Sequence, residues 1–430
     1  MKQKLVFRTQ RVGFIVLSIL LAVSCKSKPE TEKDNLSTEL QENNKNENII
    51  TYADDVSFMK DYIDIIELSN NNKAKVAVSA KLQGRVMTSS SSGLNGRSYG
   101  WINKELFKTK EIQEHINVFG GEERFWLGPE GGQYSIFFKK GSEFTLEDWY
   151  TPKLIDLEHF DIKTKTSSSV TFTKTASLVN YSGFKFDFDI EREVKVLSKQ
   201  EVNEDLGIEL PNEINTVAYK TTNSLTNSGK EDWEKEKGLL SIWLLGMFNP
   251  SPEMTIVIPY KKGNEAEFGV IVNDDYFGKV PAERLIVKEN AIYFKGDGNF
   301  RSKIGLSPKR AKNVLGSYDG VSKTLTIVKY NKPKGITDYV NSKWEIQEKP
   351  YAGDVVNSYN DGVPEPGKKP LGPFYELETS SPALYLKAGE QQTHIQTTYH
   401  FEGNPVDLTK VSEKVLGVSI VEIMNVFMVK

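Results

Sequence analysis

A strict two-residue alternation restricts this chain more than any other feature. Phe184, Phe186, Phe188 and Ile190 are interleaved with Lys185, Asp187, Asp189 and Glu191. Near the end, Ile395, Thr397, Tyr399 and Phe401 are interleaved with His394, Gln396, Thr398 and His400. Successive side chains of an extended strand point to opposite faces, so each run reads as a strand with one apolar and one wet face. Residues 75–80, 133–138, 169–173, 254–259, 291–294 and 325–330 read as further strands. Turn residues separate them at Asn95 and Gly96, Ser182 and Gly183, Gly296 to Gly298, and Lys387 to Gly389. Many short strands with one wet face each predict an all-β chain built as a large antiparallel sandwich. A few short helices are expected, the clearest over 56–68, where Phe58, Tyr62, Ile65 and Ile66 fall near one stripe.

No break between residues 50 and 430 is strong enough to divide the chain. The Pro- and Gly-rich stretch from Gly362 to Pro373 is the best candidate, yet the strands after it belong with the same core. One β-sandwich domain over 50–430 is expected. No repeat of fixed period is present.

The N-terminus is of another kind. Lys2, Lys4, Arg8 and Arg11 precede a 12-residue apolar stretch over 12–23, and residues 1–24 contain no acid. A bilayer span takes about 20 residues, so the stretch suits a secretory leader instead. Ala22, Val23 and Ser24 then lead into Cys25, the single cysteine of the chain. This ending resembles a bacterial lipobox, with Ala22 where that pattern usually has Leu. The resemblance implies a signal peptide over 1–24 and a palmitate-type lipid on Cys25, which becomes the mature N-terminus. It places the protein in the cell envelope, anchored to the outer membrane. Residues 25–49 hold no aromatic side chain and almost no aliphatic one, and are expected to form a disordered tether.

A lone cysteine excludes a disulfide framework and any multi-cysteine metal site. The formal net charge is -3. Without the four leader cations, 51 basic residues face 58 acidic ones. A chain of this balance has no bulk attraction for phosphate backbones, so no nucleic-acid partner is expected. No phosphate loop, Gly-x-Ser-x-Gly elbow or His-Glu-x-x-His segment occurs. Asp297 between two glycines reads as a hairpin turn and not a calcium loop. No cofactor and no metal are expected.

Residues 373–401 carry, in order, a strand with Glu376 and Glu378, Pro382, the Ala388-Gly389-Glu390 turn, and a last strand rich in Thr, His and aromatics. This order resembles the end of the galactose mutarotase-like (aldose 1-epimerase) superfamily. The Gly120, Gly121, Trp126 and Pro129 segment is similar to the Gly-Gly…Trp-x-x-Pro segment of sugar mutarotase relatives. The stretches 98–103 and 240–243 also resemble this superfamily. Together they suggest an uncharacterised bacterial lipoprotein branch of it. The implied fold is a large antiparallel β-supersandwich whose concave face holds a sugar.

The resemblance implies that Glu378 is the general base, which takes the anomeric hydroxyl proton of a pyranose while a histidine protonates the ring oxygen. Glu376, two residues earlier on the same strand face, is a second catalytic candidate, since like-charge repulsion raises one carboxyl pKa. The family's early Asn-His segment and its second His, in a His-Gly setting, are missing. Of the four histidines, His115 alone lies close to the Gly-Gly segment and is the candidate acid. His159 reads as structural or exposed, and His394 and His400 as solvated. Arg124, Trp126 and Glu130 are candidate substrate-binding residues, an indole for the sugar face and charged groups for its hydroxyls. Trp101 and Asn103 are further candidates, while Trp243 reads as core. Two function classes follow. One is a lipid-anchored carbohydrate-binding protein, with or without residual aldose 1-epimerase activity. The other is a structural or interaction lipoprotein that keeps the fold without a sugar site.

Overall fold

The computed structural model describes residues 49–70 and 73–428. The expected leader, Cys25 and the expected tether, up to residue 48, lie outside the described residues. Strands form wherever the alternation was clear. In chain order they are β1 (Ile66–Leu68), β2 (Lys75–Ser79), β3 (Arg85–Ser90), β4 (Arg124–Gly128), β5 (Asp161–Lys165), β6 (Ser169–Val179), β7 (Lys185–Val196), β8 (Asn215–Asn227) and β9 (Ser241–Phe248). They continue as β10 (Met254–Pro259), β11 (Leu285–Val287), β12 (Ala291–Lys295), β13 (Ser302–Leu306), β14 (Val314–Asp319), β15 (Thr324–Tyr330), β16 (Val356–Asn360), β17 (Tyr375–Ser380) and β18 (Gln391–Glu402). The helices are α1 (Tyr52–Lys60), α2 (Lys104–Thr109), α3 (Lys153–Asp156), α4 (Lys199–Leu206), α5 (Glu265–Phe268), α6 (Pro405–Val415) and α7 (Ile420–Asn425). Among the described residues no helix is long and apolar enough to cross a membrane.

The named strands pair antiparallel throughout, in a ten-stranded sheet ordered β11-β12-β10-β14-β15-β18-β8-β7-β6-β5 and a five-stranded sheet ordered β13-β16-β17-β9-β4. A third sheet, β1-β2-β3, is smaller. The inner faces of the two large sheets meet, as Tyr375 Oη on β17 lies 2.8 Å from Ser317 Oγ on β14. This is the expected all-β antiparallel sandwich with few short helices. Within β7 the alternation is nearly perfect, with Phe186, Phe188, Ile190, Val194 and Val196 buried. Arg192 is in phase with them and is also buried.

Four expectations are corrected. The first helix starts earlier and ends sooner than 56–68. Thr51 and Asp54 form a capping box that starts it at Tyr52, and Ile66–Leu68 instead pairs with β2. Residues 133–138 form no strand. The Ser135 and Ile136 amides donate to the nearby Gly132 and Pro129 carbonyls at 3.0 and 3.2 Å, so the segment is a run of turns, and it buries Phe137 and Phe138 against Trp126, Trp149 and Trp344. Gly296–Gly298 is a crossing between sheets and not a hairpin turn, because β12 and β13 lie in different sheets. There Asp297 pairs with both terminal nitrogens of Arg284.

The fourth correction bears on function. His394 and His400 are not solvated but buried. β18 runs through the middle of the ten-stranded sheet, and both of its faces are covered. Tyr399 and Phe401 pack outward under α4, α6 and α7 with Val202, Leu408 and Val411. The two histidines therefore face the space between the sheets.

Candidate functional site

Pleating places Glu376 and Glu378 together on the outer face of β17, with Leu377 and Thr379 turned inward. Register then determines their neighbours. Glu376 stands opposite Met247 on β9 and Tyr359 on β16, and Glu378 opposite Leu245 and Asn357. One strand further, Arg124 is the partner of Leu245 and Trp126 the partner of Trp243. On the other side, Lys303 of β13 is the partner of Tyr359. Four strands, β4, β9, β13 and β17, thus deliver two carboxyls, two cations and two indoles to one face.

They touch. Arg124 Nη2 lies 2.5 Å from Glu376 Oε1. Lys303 Nζ and Trp243 Nε1 each donate to Glu378 Oε2 at 3.0 Å. The Arg124 guanidinium sits 4.8 Å from the Trp126 ring centroid, and Trp126 meets Trp243 edge-on at 5.6 Å. Lys303 Nζ is 5.0 Å from the Trp243 ring. Glu130, just beyond β4, accepts from Trp344 Nε1 at 3.2 Å. Glu378 is 0% exposed. Its Oε1, Arg124 Nε and Trp126 Nε1 are buried without a hydrogen-bond partner.

Three carboxyls here face two cations, and the imbalance shapes their acidity. Burial raises Glu376 above the usual carboxylate range, and repulsion from Glu378 adds to this against the pull of Arg124 and Lys303. Burial likewise raises Glu130, opposed by Lys303 and by the Trp344 hydrogen bond. Burial works to lower Lys303, but Glu378, Glu376 and Glu130 outweigh it and hold the ammonium above the ordinary lysine value. The cluster therefore retains a proton among its carboxyls, while Lys303 keeps its own. A lysine held this firmly is a poor acid near neutral pH.

The remaining candidates lie apart from this contact set. Trp101 is buried with Val118, Met247, Tyr359 and Phe374, and so borders Glu376 through Met247 and Tyr359. Asn103 caps α2, its Oδ1 accepting from the Leu106 amide at 3.1 Å. His115 sits with Nδ1 2.6 Å from the Trp149 carbonyl and its ring against Tyr150. Sequence reading missed Lys303, since one lysine in a five-residue strand carries no pattern. It also assigned Trp243 to core alone, because β9 is apolar after Ser241 and hides which face each residue takes.

Behind the outer face runs an inward polar chain. Thr379 Oγ1 lies 2.9 Å from His394 Nε2 and donates to Gln396 Oε1 at 2.7 Å. Gln396 donates to Glu123 at 2.8 Å, and Glu123 lies 2.9 Å from Arg192 Nη2. His400 Nε2 is 3.1 Å from Glu122 Oε2 and its ring stacks on Tyr99 at 4.2 Å. Burial pushes His394 down to about 3, so it is neutral at physiological pH and supplies no proton.

No curated protein matches this chain. Among solved structures it is similar to a putative aldose 1-epimerase from Escherichia coli K12, at 12% identity and a TM-score of 0.45, over 79% of this chain and 99% of that one. It is also similar to a galactose mutarotase-like protein from Lactobacillus casei, at 14% identity and a TM-score of 0.42, over 79% and 99% of the two chains. A galactose mutarotase related enzyme from Lactobacillus acidophilus gives 12% identity and 0.42 over the same shares. A family model matches residues 50–427, and its description is a family of unknown function.

Proposed function

The chain belongs to that family, DUF6786, and we propose that its domain over 50–430 binds a saccharide at the Glu378 cluster. The observation that carries this reading is the gathering of Glu376, Glu378, Arg124, Lys303, Trp126 and Trp243 on one face of the five-stranded sheet. Indoles for the apolar face of a sugar, with carboxylates and cations for its hydroxyls, make a polar small-molecule site. The unpartnered Glu378 Oε1, Arg124 Nε and Trp126 Nε1 supply one acceptor and two donors.

Binding is favoured over turnover by the acid side of the chemistry. Ring opening requires a proton donor, and neither the neutral His394 nor the firmly protonated Lys303 supplies one. Residual epimerase activity has a single observation in its favour: burial weakens the acidity of Glu376, which shares a strand face with Glu378. The test begins with an array of mono- and oligosaccharides. Glu378→Gln is then expected to weaken the best sugar about 10-fold or more, since a hydrogen bond to a charged group is worth roughly 1.5–3 kcal/mol. Any mutarotation disappears with it, because an amide accepts no proton. Unchanged affinity in a folded Glu378→Gln protein overturns the site, and an array without binders favours the structural lipoprotein.

The anchor is part of the same proposal. A lipidated Cys25 would hold the domain on a tether of roughly 25 residues at the outer membrane, within the cell envelope. Cys25→Ser is expected to move the protein from the membrane to the soluble fraction. Unaltered fractionation removes the lipoprotein reading.

A further inference from the structure

Tyr276 and Phe277 are consecutive, yet the fold treats them in opposite ways. The Tyr276 hydroxyl donates to Asp354 Oδ2 at 2.5 Å and accepts from Asn357 Nδ2 at 3.0 Å. Its ring centroid lies 5.8 Å from Lys303 Nζ. Asn357 is the register partner of Glu378, so this tyrosine fastens its loop beside the carboxyl cluster. Phe277 turns the other way and is 46% exposed.

The exposed ring is nevertheless held in place. The Arg301 guanidinium lies over it at 3.8 Å, well within cation–π range. The phenyl ring meets the Tyr359 ring nearly at right angles, with centroids 5.9 Å apart and 79° between the planes. Tyr359 is the register partner of both Glu376 and Lys303, one strand spacing or about 4.8 Å from each. An aromatic contact path therefore runs from the buried cluster through Tyr359 to a fixed phenyl ring at the surface. The Tyr359 hydroxyl donates to Asp361 Oδ1 at 2.7 Å, and the Arg301 charge acts on both groups.

We propose that Phe277 and Arg301 form an outer saccharide subsite, so that the ligand is an oligosaccharide and not a free monosaccharide. This rests on the reading of the Glu378 cluster as a sugar site. One unit takes the Glu378 cluster, and a following unit lays its C–H face on the phenyl ring of Phe277. The guanidinium, with five N–H donors, serves the hydroxyls at the edge of that unit. An apolar surface that is rigid, exposed and continuous with a polar site suits a ligand whose two faces differ in this way, as pyranose rings do.

The test compares the full chain with Phe277→Ala and Phe277→Trp by calorimetry. Probes are cellohexaose, maltohexaose and chitohexaose, each beside its monosaccharide. Phe277→Ala is expected to weaken the hexasaccharide about 5-fold or more, the scale of one lost aromatic contact, and to leave the monosaccharide unaffected. Phe277→Trp is expected to restore or improve hexasaccharide binding. An unchanged hexasaccharide affinity in Phe277→Ala overturns the outer subsite alone. So does an equal loss for both sugars, which would make Phe277 a mere support for the Tyr276 loop. Should the parent bind none of these sugars, or Glu378→Gln bind them as tightly as the parent, the Glu378 reading fails and takes this one with it.

Discussion

Glu123→Ala is expected to destabilise the protein by about 3–5 kcal/mol, the cost of leaving one member of a buried ion pair uncompensated. Glu123 and Arg192 are both fully buried between the sheets, 2.9 Å apart. Arg192 also donates to the Gly84 carbonyl at 3.0 Å and to Asn223, which ties the charge to the backbone and to β8. With the carboxylate gone, the guanidinium has neither water nor counter-charge, and unlike a lysine it does not shed its proton. Arg192→Met should cost somewhat less, since Glu123 can protonate. The double variant Glu123→Leu/Arg192→Met should recover much of the loss, because two apolar groups of similar volume need no partner. Urea unfolding of the four proteins decides this. Single variants within about 1 kcal/mol of the parent would contradict the pair's structural role.

Acid should act on the same interior through His394. Unfolded, this histidine titrates near 6.5, whereas burial holds it neutral in the fold down to about 3. Between those values the unfolded chain binds one more proton than the folded one. Stability is therefore present above pH 6.5 and lost as pH falls, by about 1.4 kcal/mol per unit. From pH 6.5 to 5 the loss from this residue alone is about 2 kcal/mol. His394→Gln lacks the titration, so its stability should fall less over that range, whatever its own cost at pH 7. Parallel losses in parent and variant would show that His394 is protonated in the folded protein.

Local pattern and tertiary placement contributed differently to the site. The pairs Glu376/Glu378 and Arg124/Trp126 are each two residues apart, so strand pleating alone puts each pair on one face. Arg124 and Glu376 are 252 residues apart in sequence, and their meeting depends on β9 lying between β4 and β17. Nothing near either pair encodes that neighbour. Lys303 shows the limit more sharply. Its role follows only from β13 joining the far edge of the sheet, where three carboxyls surround it. Asn103 and His115 show the reverse error, as proximity to a motif in sequence took the place of proximity in space.

Alternation by itself determined that the chain is a β-sandwich and which side chains share a face, because the two-residue period belongs to the covalent backbone. It separated His394 and His400 from Ile395 and Tyr399 without showing which set meets water. In β7, Arg192 followed the phase of Phe188 and Ile190 into the interior, and that inward phase was legible in advance. The partner that makes a buried guanidinium tolerable was not. Which faces are wet, which charges are paired and where the carboxyls gather were decided by the helix layer over β18 and by the order of strands in the two sheets. Those depend on contacts between segments hundreds of residues apart, where burial and Coulomb interaction act through space and leave no period along the chain.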